Sequence, residues 1–140
     1  MMIGLMTKPS SLRAALDPAS IAIVGASDNP HKVGGRPILY MRRYGYRGAI
    51  YPINPARAEV QGLKAWPDVA SLPQAPELAI VAVSGEEAVG AVAACAARGV
   101  KVCVVMSSGF GEIGPAGRAM QDRMLAAARA AGMRLVGPNC

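Results

Sequence analysis

The sequence predicts an α/β protein: a mostly parallel sheet wound on both faces by helices, in the manner of a Rossmann-like doubly wound sandwich. Three observations predict it. Short, predominantly apolar runs recur at Ile21–Val24, Ala49–Ile53, Leu78–Val83, Val100–Met106 and Met133–Val136, and strands with so little polar alternation are buried on both faces, as in parallel sheets. Helical patterns separate most of these runs, which makes β-α-β units with right-handed crossovers. Glycines (Gly45, Gly99, Gly132) stand where each helical pattern ends, the place of a C-terminal cap.

Residues 1–18 read as a lead-in, with Ser11–Leu16 expected as a short helix ended at Asp17-Pro18, because the residue before proline avoids the helical region. Residues 19–140 read as one domain, since single cores commonly serve about 100–150 residues. The strand Ile21–Val24 feeds a small-residue loop, Gly25 to Gly35, and a helix expected over Pro37–Tyr44. The strand Ala49–Ile53 is closed by Asn54-Pro55. A weaker section follows, with Arg57–Gln61, Gly62, a short Leu63–Trp66 segment and a helical turn between Pro67 and Pro73. After the strand Leu78–Val83, Ser84-Gly85 opens a helix with Glu86 and Glu87 in its first turn, where acids favour the positive end of the helix dipole. Val89, Val92, Ala93 and Ala96 are expected as its apolar face. The strand Val100–Met106 ends in the loop Ser107–Gly111. A long helix over Ala116–Ala131 places Gly117, Met120, Met124 and Ala127 or Ala128 on one side, and Gly137-Pro138-Asn139-Cys140 follows the last strand.

Composition narrows the function classes. Hydrophobic residues make up 52% of the chain and aromatics 4%, so the core must be aliphatic. Fifteen Lys and Arg against nine acids give a net charge of +6, which favours anionic partners. The basic residues are dispersed and aromatics for base stacking are scarce, which argues against nucleic acid. Three cysteines, Cys95, Cys103 and Cys140, have no metal-ligand spacing, and their odd number disfavours a disulfide framework. They fit a reducing cytoplasm. The opening MMIGLM lacks the charged start and length of a signal peptide, and no apolar run approaches the roughly 20 residues of a membrane helix. The expectation is a cytoplasmic protein with no membrane span and no metal.

In a doubly wound sheet, ligands bind beyond the carboxyl ends of the strands. The loops there are rich in Gly, Ser, Pro and Asn and poor in groups suited to catalysis, so they predict binding rather than chemistry. The first, IVGASDNPHKVGG, is a strand running into a small-residue turn and a helix N-terminus, an arrangement that presents backbone N–H groups to a phosphate. The dinucleotide fingerprint G-x-G-x-x-G is broken here: Ser27 and Pro30 stand where its second and third glycines would fall, and Gly34 and Gly35 come late. At the end of the second strand, NAD-binding domains place an acid for the ribose. This chain has Asn54, Pro55 and Arg57, which tolerate a phosphorylated ribose such as that of NADP or coenzyme A.

The conjunction of IAIVGAS…KVG, YPINP, the strand ending in Val83, SSGFGE and the terminal GPNC resembles the CoA-binding domain of NDP-forming acyl-CoA synthetases, ligases of the succinyl-CoA synthetase α-subunit superfamily that include ADP-forming acetate–CoA ligases. The resemblance covers residues 19–140. It implies a Rossmann-like fold with CoA across the strand ends, phosphates at Gly25, Ala26 and Ser27 with Lys32 and Gly34 of the same loop, and adenosine near Asn54 and Pro55. It further implies that Val83, Ser84 and Gly85 line the cofactor, that Ser107, Ser108, Gly109 and Phe110 flank the pantetheine arm, and that Asn139 and Cys140 lie near the thiol. Where that family carries a Val-Pro-Ala-like turn, this chain has Val83-Ser84-Gly85, which is more flexible and more hydrophilic. The family's phosphorylated histidine lies in a later domain; the one histidine here, His31, is in the first loop, and no catalytic residue is assigned. The implied partners are CoA or acyl-CoA and the remaining ligase domains or subunit, of ATP-grasp type, with self-association open. The implied whole is a longer chain of which this is the first domain. Two other readings stay open: a free-standing CoA-binding protein with a regulatory role, and an NADP-binding oxidoreductase fragment.

Overall fold

The computed structural model describes residues 11–140; the earlier part of the lead-in lies outside the described residues. The elements run α1 (Ser11–Leu16), β1 (Ser20–Val24), α2 (Arg36–Arg43), β2 (Ala49–Ile53), β3 (Glu59–Val60), β4 (Leu63–Lys64), β5 (Leu78–Val81), α3 (Gly85–Arg98), β6 (Val102–Val105), a 3-10 turn (Gly111–Ile113), α4 (Pro115–Ala131) and β7 (Arg134–Val136). Five strands form one parallel sheet in the order β2-β1-β5-β6-β7.

Alternation along each strand divides the core in two. On β1, Ile21 and Ile23 face one cluster with Ala14 of α1 and Ile38 of α2, while Ala22 faces a second cluster with Val92 of α3 and Met124 of α4. Leu78 and Val102 join the first side, and Ala79, Val81, Cys103 and Val105 the second. The central strands β1, β5 and β6 therefore have both faces buried, which explains their near-continuous apolar runs, while the edge strand β7 is largely open. α1 and α2 cover one face and α3 and α4 the other, as a doubly wound α/β fold requires.

The helices end as their glycines predict. Gly99 (φ 88) and Gly132 (φ 68) are left-handed caps of α3 and α4, and Tyr46 N–H closes α2 by donating to Met41 O at 2.8 Å. Some expectations change, among them the strand expected over Val100–Met106, which spans Val102–Val105. The strand expected over Leu78–Val83 ends at Val81: Ala82 N–H still donates to Val24 O at 2.9 Å, and Val83 O beyond it accepts the Ser107 hydroxyl. The packed stripe of α3 is Ala88, Val89, Val92 and Cys95, with Ala93 exposed, since 88, 92 and 95 stand one above another on a 3.6-residue helix and 93 is turned away from them. Between Pro67 and Pro73 there is one turn rather than a helical one, closed by Leu72 N–H to Val69 O at 3.3 Å and by Asp68 Oδ1, which accepts the Ser71 N–H. The weak section before it forms the antiparallel hairpin β3–β4, with Val60 opposite Leu63.

Candidate functional site

β1 connects outward to β2 on one side, and the chain then returns to place β5 on the other side of β1. The crevice at the carboxyl ends of β1 and β5 is thus the topological switch point. Two cavities meet there. A groove of about 390 Å³ is bounded by Gly25, Ala26, Asn54, Pro55, Val83 and Glu87, with Val24, Ile53, Val69 and Ala91 supplying apolar wall. A pocket of about 460 Å³ lies against the first loop and is lined by Gly25, Ser27, His31, Lys32, Val33, Gly34, Arg36 and Ala82. Gly25 borders both. The first suits a flat apolar ring, and the second collects the cationic side chains of Lys32 and Arg36 with the Ser27 hydroxyl, a donor set suited to phosphate.

The first loop is held shut on itself. Ala26 N–H donates to Ile53 O, Ser27 to Gly34 O, Lys32 to Asn29 O, and both Gly35 and Arg36 to Lys32 O. Asn29 N–H donates to Ser27 Oγ and His31 N–H to Asn29 Oδ1. Close approach forces glycine at position 34, where a Cβ would lie 2.0 Å from Gly25 O. With these amides engaged and Pro37 in the first turn of α2, the electropositive surface offered to a ligand is carried chiefly by side chains. The amide cradle the sequence suggests is thus narrowed, since the Ala26 and Ser27 amides are taken up within the protein.

Asn54 has a visible reason to be an amide. Its Nδ2 donates to Ala26 O at 3.0 Å and its Oδ1 accepts the Ala56 N–H at 2.9 Å, so it ties the loops after β1 and β2 together. An acid at this position has no hydrogen to donate to Ala26 O. Arg57 lies 3.6 Å from Asp28 Oδ2, both side chains about half exposed.

The later loops are braced across the same edge of the sheet. Ser107 Oγ donates to Val83 O at 2.6 Å, and Ser107 O accepts the Asn139 N–H at 2.9 Å, so one serine links the ends of β5, β6 and β7. Glu112 accepts from the N–H groups of Gly109 and Phe110. The amide of Gly109, with other backbone amides, holds the Glu112 carboxyl below the usual carboxylate range. Phe110 is fully buried in the core, so its ring anchors the SSGFGE loop from beneath and offers no surface to a ligand. Gly117 allows α4 to pass over this loop, since a Cβ there would lie 1.8 Å from Phe110 O.

Of the residues singled out from sequence, Gly25, Ala26, Asn54, Pro55 and Val83 surround the groove, and Gly25, Ser27, Lys32 and Gly34 the neighbouring pocket. Ser84 and Gly85 (φ 59) begin α3 next to Val83. Ser107 and Asn139 brace the edge, while Ser108, Gly109 and Phe110 line neither cavity. Sequence reasoning missed the groove acids Asp68 and Glu87, the loop carboxylate Glu112 and the hairpin residue Gln61. For Glu112 a signal was present, an acid two and three residues beyond Phe110 and Gly109, within reach of their turn amides; for Gln61 there was none.

Among the described residues no group of three or more His, Cys, Asp or Glu could hold a metal ion, and no helix is long and apolar enough to cross a membrane. Cys95 and Cys103 are buried, and the hydrogen bond that the Cys103 thiol gives to Cys95, together with burial, pushes the Cys103 thiol far up, which makes it an inert packing group.

A family model described as a CoA-binding domain matches residues 19–140. The α subunit of ADP-forming acetate–CoA ligase I from Pyrococcus furiosus is 35% identical over 133 residues, covering 92% of this chain and 29% of that protein. In structure, acetyl-coenzyme A synthetase 1 of Candidatus Korarchaeum cryptofilum, solved with phosphate and ADP, superposes with a TM-score of 0.85 at 37% identity, covering 91% of this chain and 27% of that one. A hypothetical protein from Pyrococcus horikoshii superposes with a TM-score of 0.72 at 25% identity, covering 93% of this chain and 83% of that one. The chain spans less than a third of the length of the two ligases it matches.

Proposed function

We propose a function from one premise: this chain belongs to the CoA-binding domain family. It is the CoA-binding portion of an acid–thiol ligase of the NDP-forming type, acting in the cytoplasm beside ATP-grasp and histidine-bearing portions that carry out acyl activation. The observation that carries this reading is the pairing, through Gly25, of an apolar groove with a cationic pocket at the switch point of the sheet. A molecule made of a flat base joined to a diphosphate has that same order of properties.

The residues assign themselves by chemistry. The groove beside Asn54, Pro55 and Val83 takes the adenine ring, excluding water from its faces. Lys32, Arg36 and the Ser27 hydroxyl take the diphosphate. Arg57 stands at the Asn54 side, where a ribose phosphate arrives. The arm beyond the diphosphate runs toward the Ser107-braced edge and Asn139. None of these residues is placed to abstract a proton from, or attack, an acyl group, so the chain's contribution is to bind and orient the thiol carrier.

Calorimetric titration of the purified chain with CoA, dephospho-CoA, NADPH and ADP tests this. CoA binds best and dephospho-CoA less well. NADPH binding without any CoA heat at several temperatures overturns the reading. One observation favours a second reading, a free-standing CoA-binding protein with a regulatory role: the Pyrococcus horikoshii protein is nearly matched in length by this chain. Addition of the ATP-grasp and histidine-bearing portions separates the two, since only the ligase reading predicts acyl-CoA formation from acid, CoA and NTP with release of NDP and phosphate, or the reverse, in which acyl-CoA, NDP and phosphate give acid, CoA and NTP.

A further inference from the structure

The β3–β4 hairpin reaches across to the first loop with a single side chain. Gln61 Nε2 donates to Ser27 O at 2.9 Å and to Gly35 O at 3.0 Å, and Gln61 N–H donates to Asp28 Oδ1 at 2.7 Å. An amide nitrogen carries two hydrogens, and both are used here. They hold the two ends of the loop, Ser27 and Gly35, at a set separation. Between those ends lie Lys32 and Gly34, and Arg36 follows directly, so the pocket's whole cationic lining hangs from the clamp.

The backbone at this position makes the choice of glutamine informative. Gln61 has φ 49, a left-handed conformation that L residues other than glycine, asparagine and aspartate seldom adopt. Gly62 beside it has φ 78. A glycine at 61 would meet the needs of the turn with less strain, and the hairpin is already anchored by the fully buried Val60 and by Ala65 N–H donating to Ala58 O at 2.9 Å. The two-residue turn sets φ > 0 at both Gln61 and Gly62, so a glutamine kept where glycine would carry that φ without strain points to what the side chain does.

We propose that Gln61 is a positioning residue of the phosphate pocket: its amide fixes the Ser27 and Gly35 carbonyls and so presets the loop for a diphosphate. The inference rests on the CoA reading for its ligand, and on the geometry alone for its clamp. A preset loop spares the ligand the entropy of ordering it. A carboxylate of the same length would face two carbonyls with no hydrogen to give, and a thioether would leave both unclamped.

The test uses two variants of the chain, Gln61→Gly, which removes the amide and relieves the backbone, and Gln61→Met, which keeps the length without donors. Calorimetry is run with CoA and with adenosine, alongside thermal melting and amide hydrogen exchange over residues 27–36. Both variants are expected to fold, to bind CoA about tenfold more weakly, the equivalent of one to two net hydrogen bonds, and to bind adenosine unchanged. Exchange at Ser27 and Gly35 speeds up while β1 stays protected. Unchanged CoA affinity in a folded variant overturns the proposal. So does an equal loss for adenosine, or failure of both variants to fold, since each makes the residue merely structural. If the natural chain itself binds no CoA, the functional reading falls, and the exchange rates still decide the clamp: unchanged rates overturn it.

Discussion

At the N-terminal edge of the sheet one carboxylate gathers the structure. Glu77 receives a bidentate pair from Arg13 at 2.7 and 2.9 Å, the Ala19 N–H at 3.3 Å and Lys101 Nζ at 3.9 Å, and its own N–H donates to Ser20 Oγ. Burial opposes its ionisation, yet the Arg13 hydrogen bond, the Ala19 amide and the Arg13 and Lys101 charges hold it below the usual carboxylate range. Residues from α1, β1, β5 and the approach to β6 are tied together there. At the C-terminal edge the braces are mostly uncharged, Asn54 to Ala26, Ser107 to Val83 and Gln61 to the first loop, beside two exposed ion pairs, Arg57–Asp28 and Arg123–Glu86. Two further cations there, Lys32 and Arg36, line a pocket, and Arg36 is steadied by donating its Nε–H to His31 O at 3.0 Å. One edge gathers its charges on a single carboxylate that ties several elements together, and the other keeps Lys32 and Arg36 at the rim of a pocket.

That contrast can be broken or sharpened by mutation. The largest effect is expected where the binding edge reaches into the core. Phe110→Ala removes a fully buried ring and should cost about 3–5 kcal/mol of stability by denaturant unfolding; a loss below 1 kcal/mol means that the loop is not anchored through the core. Next, Gly34→Ala drives a Cβ against Gly25 O. CoA affinity should fall roughly 100-fold, the scale that a misplacement of about 1 Å produces in a preorganised site, and calorimetry showing near-native affinity would contradict a closed first loop. At the opposite edge, Glu77→Gln should cost about 1 kcal/mol, because the pairs are partly exposed, with CoA affinity unchanged. A parallel loss of affinity would erase the distinction between the edges.

The smallest effect is a pH response. Glu112 has its folded pKa lowered by the Gly109 amide. Its contribution is complete above its unfolded value and is lost as pH falls through the lowered folded value. Exchange at Gly109 and Phe110, corrected for intrinsic rates, should accelerate on acidification, and Glu112→Gln should flatten that dependence. A pH-independent loop in the unaltered chain removes Glu112 as its brace.

Much of the frame was legible because it is local. Ile21–Val24 and Leu78–Val81 show themselves as two-faced strands, and Gly99 and Gly132 as caps, from a handful of adjacent residues. The family resemblance rested on five such segments, and the family match over residues 19–140 supports it. What stayed hidden is what joins distant positions. Glu77 meets Arg13 across 64 residues and Gln61 meets Ser27 across 34, and no periodicity encodes such pairs. Strands of two residues, as in β3 and β4, are too short for alternation to register. The turn between Pro67 and Pro73 is closed by the Asp68 carboxylate, a side-chain choice that competes with helix.

The central claim is that CoA binds across the C-terminal edge of the sheet and leaves the Glu77 edge untouched. Amide chemical-shift mapping during titration with CoA tests it most directly. Shifts should concentrate in Gly25–Arg36, around Asn54 and at Ala82–Gly85, with Ala19, Ser20, Glu77 and Lys101 unmoved. Shifts centred on the Glu77 edge, or none at CoA concentrations that saturate the calorimetric signal, would contradict it.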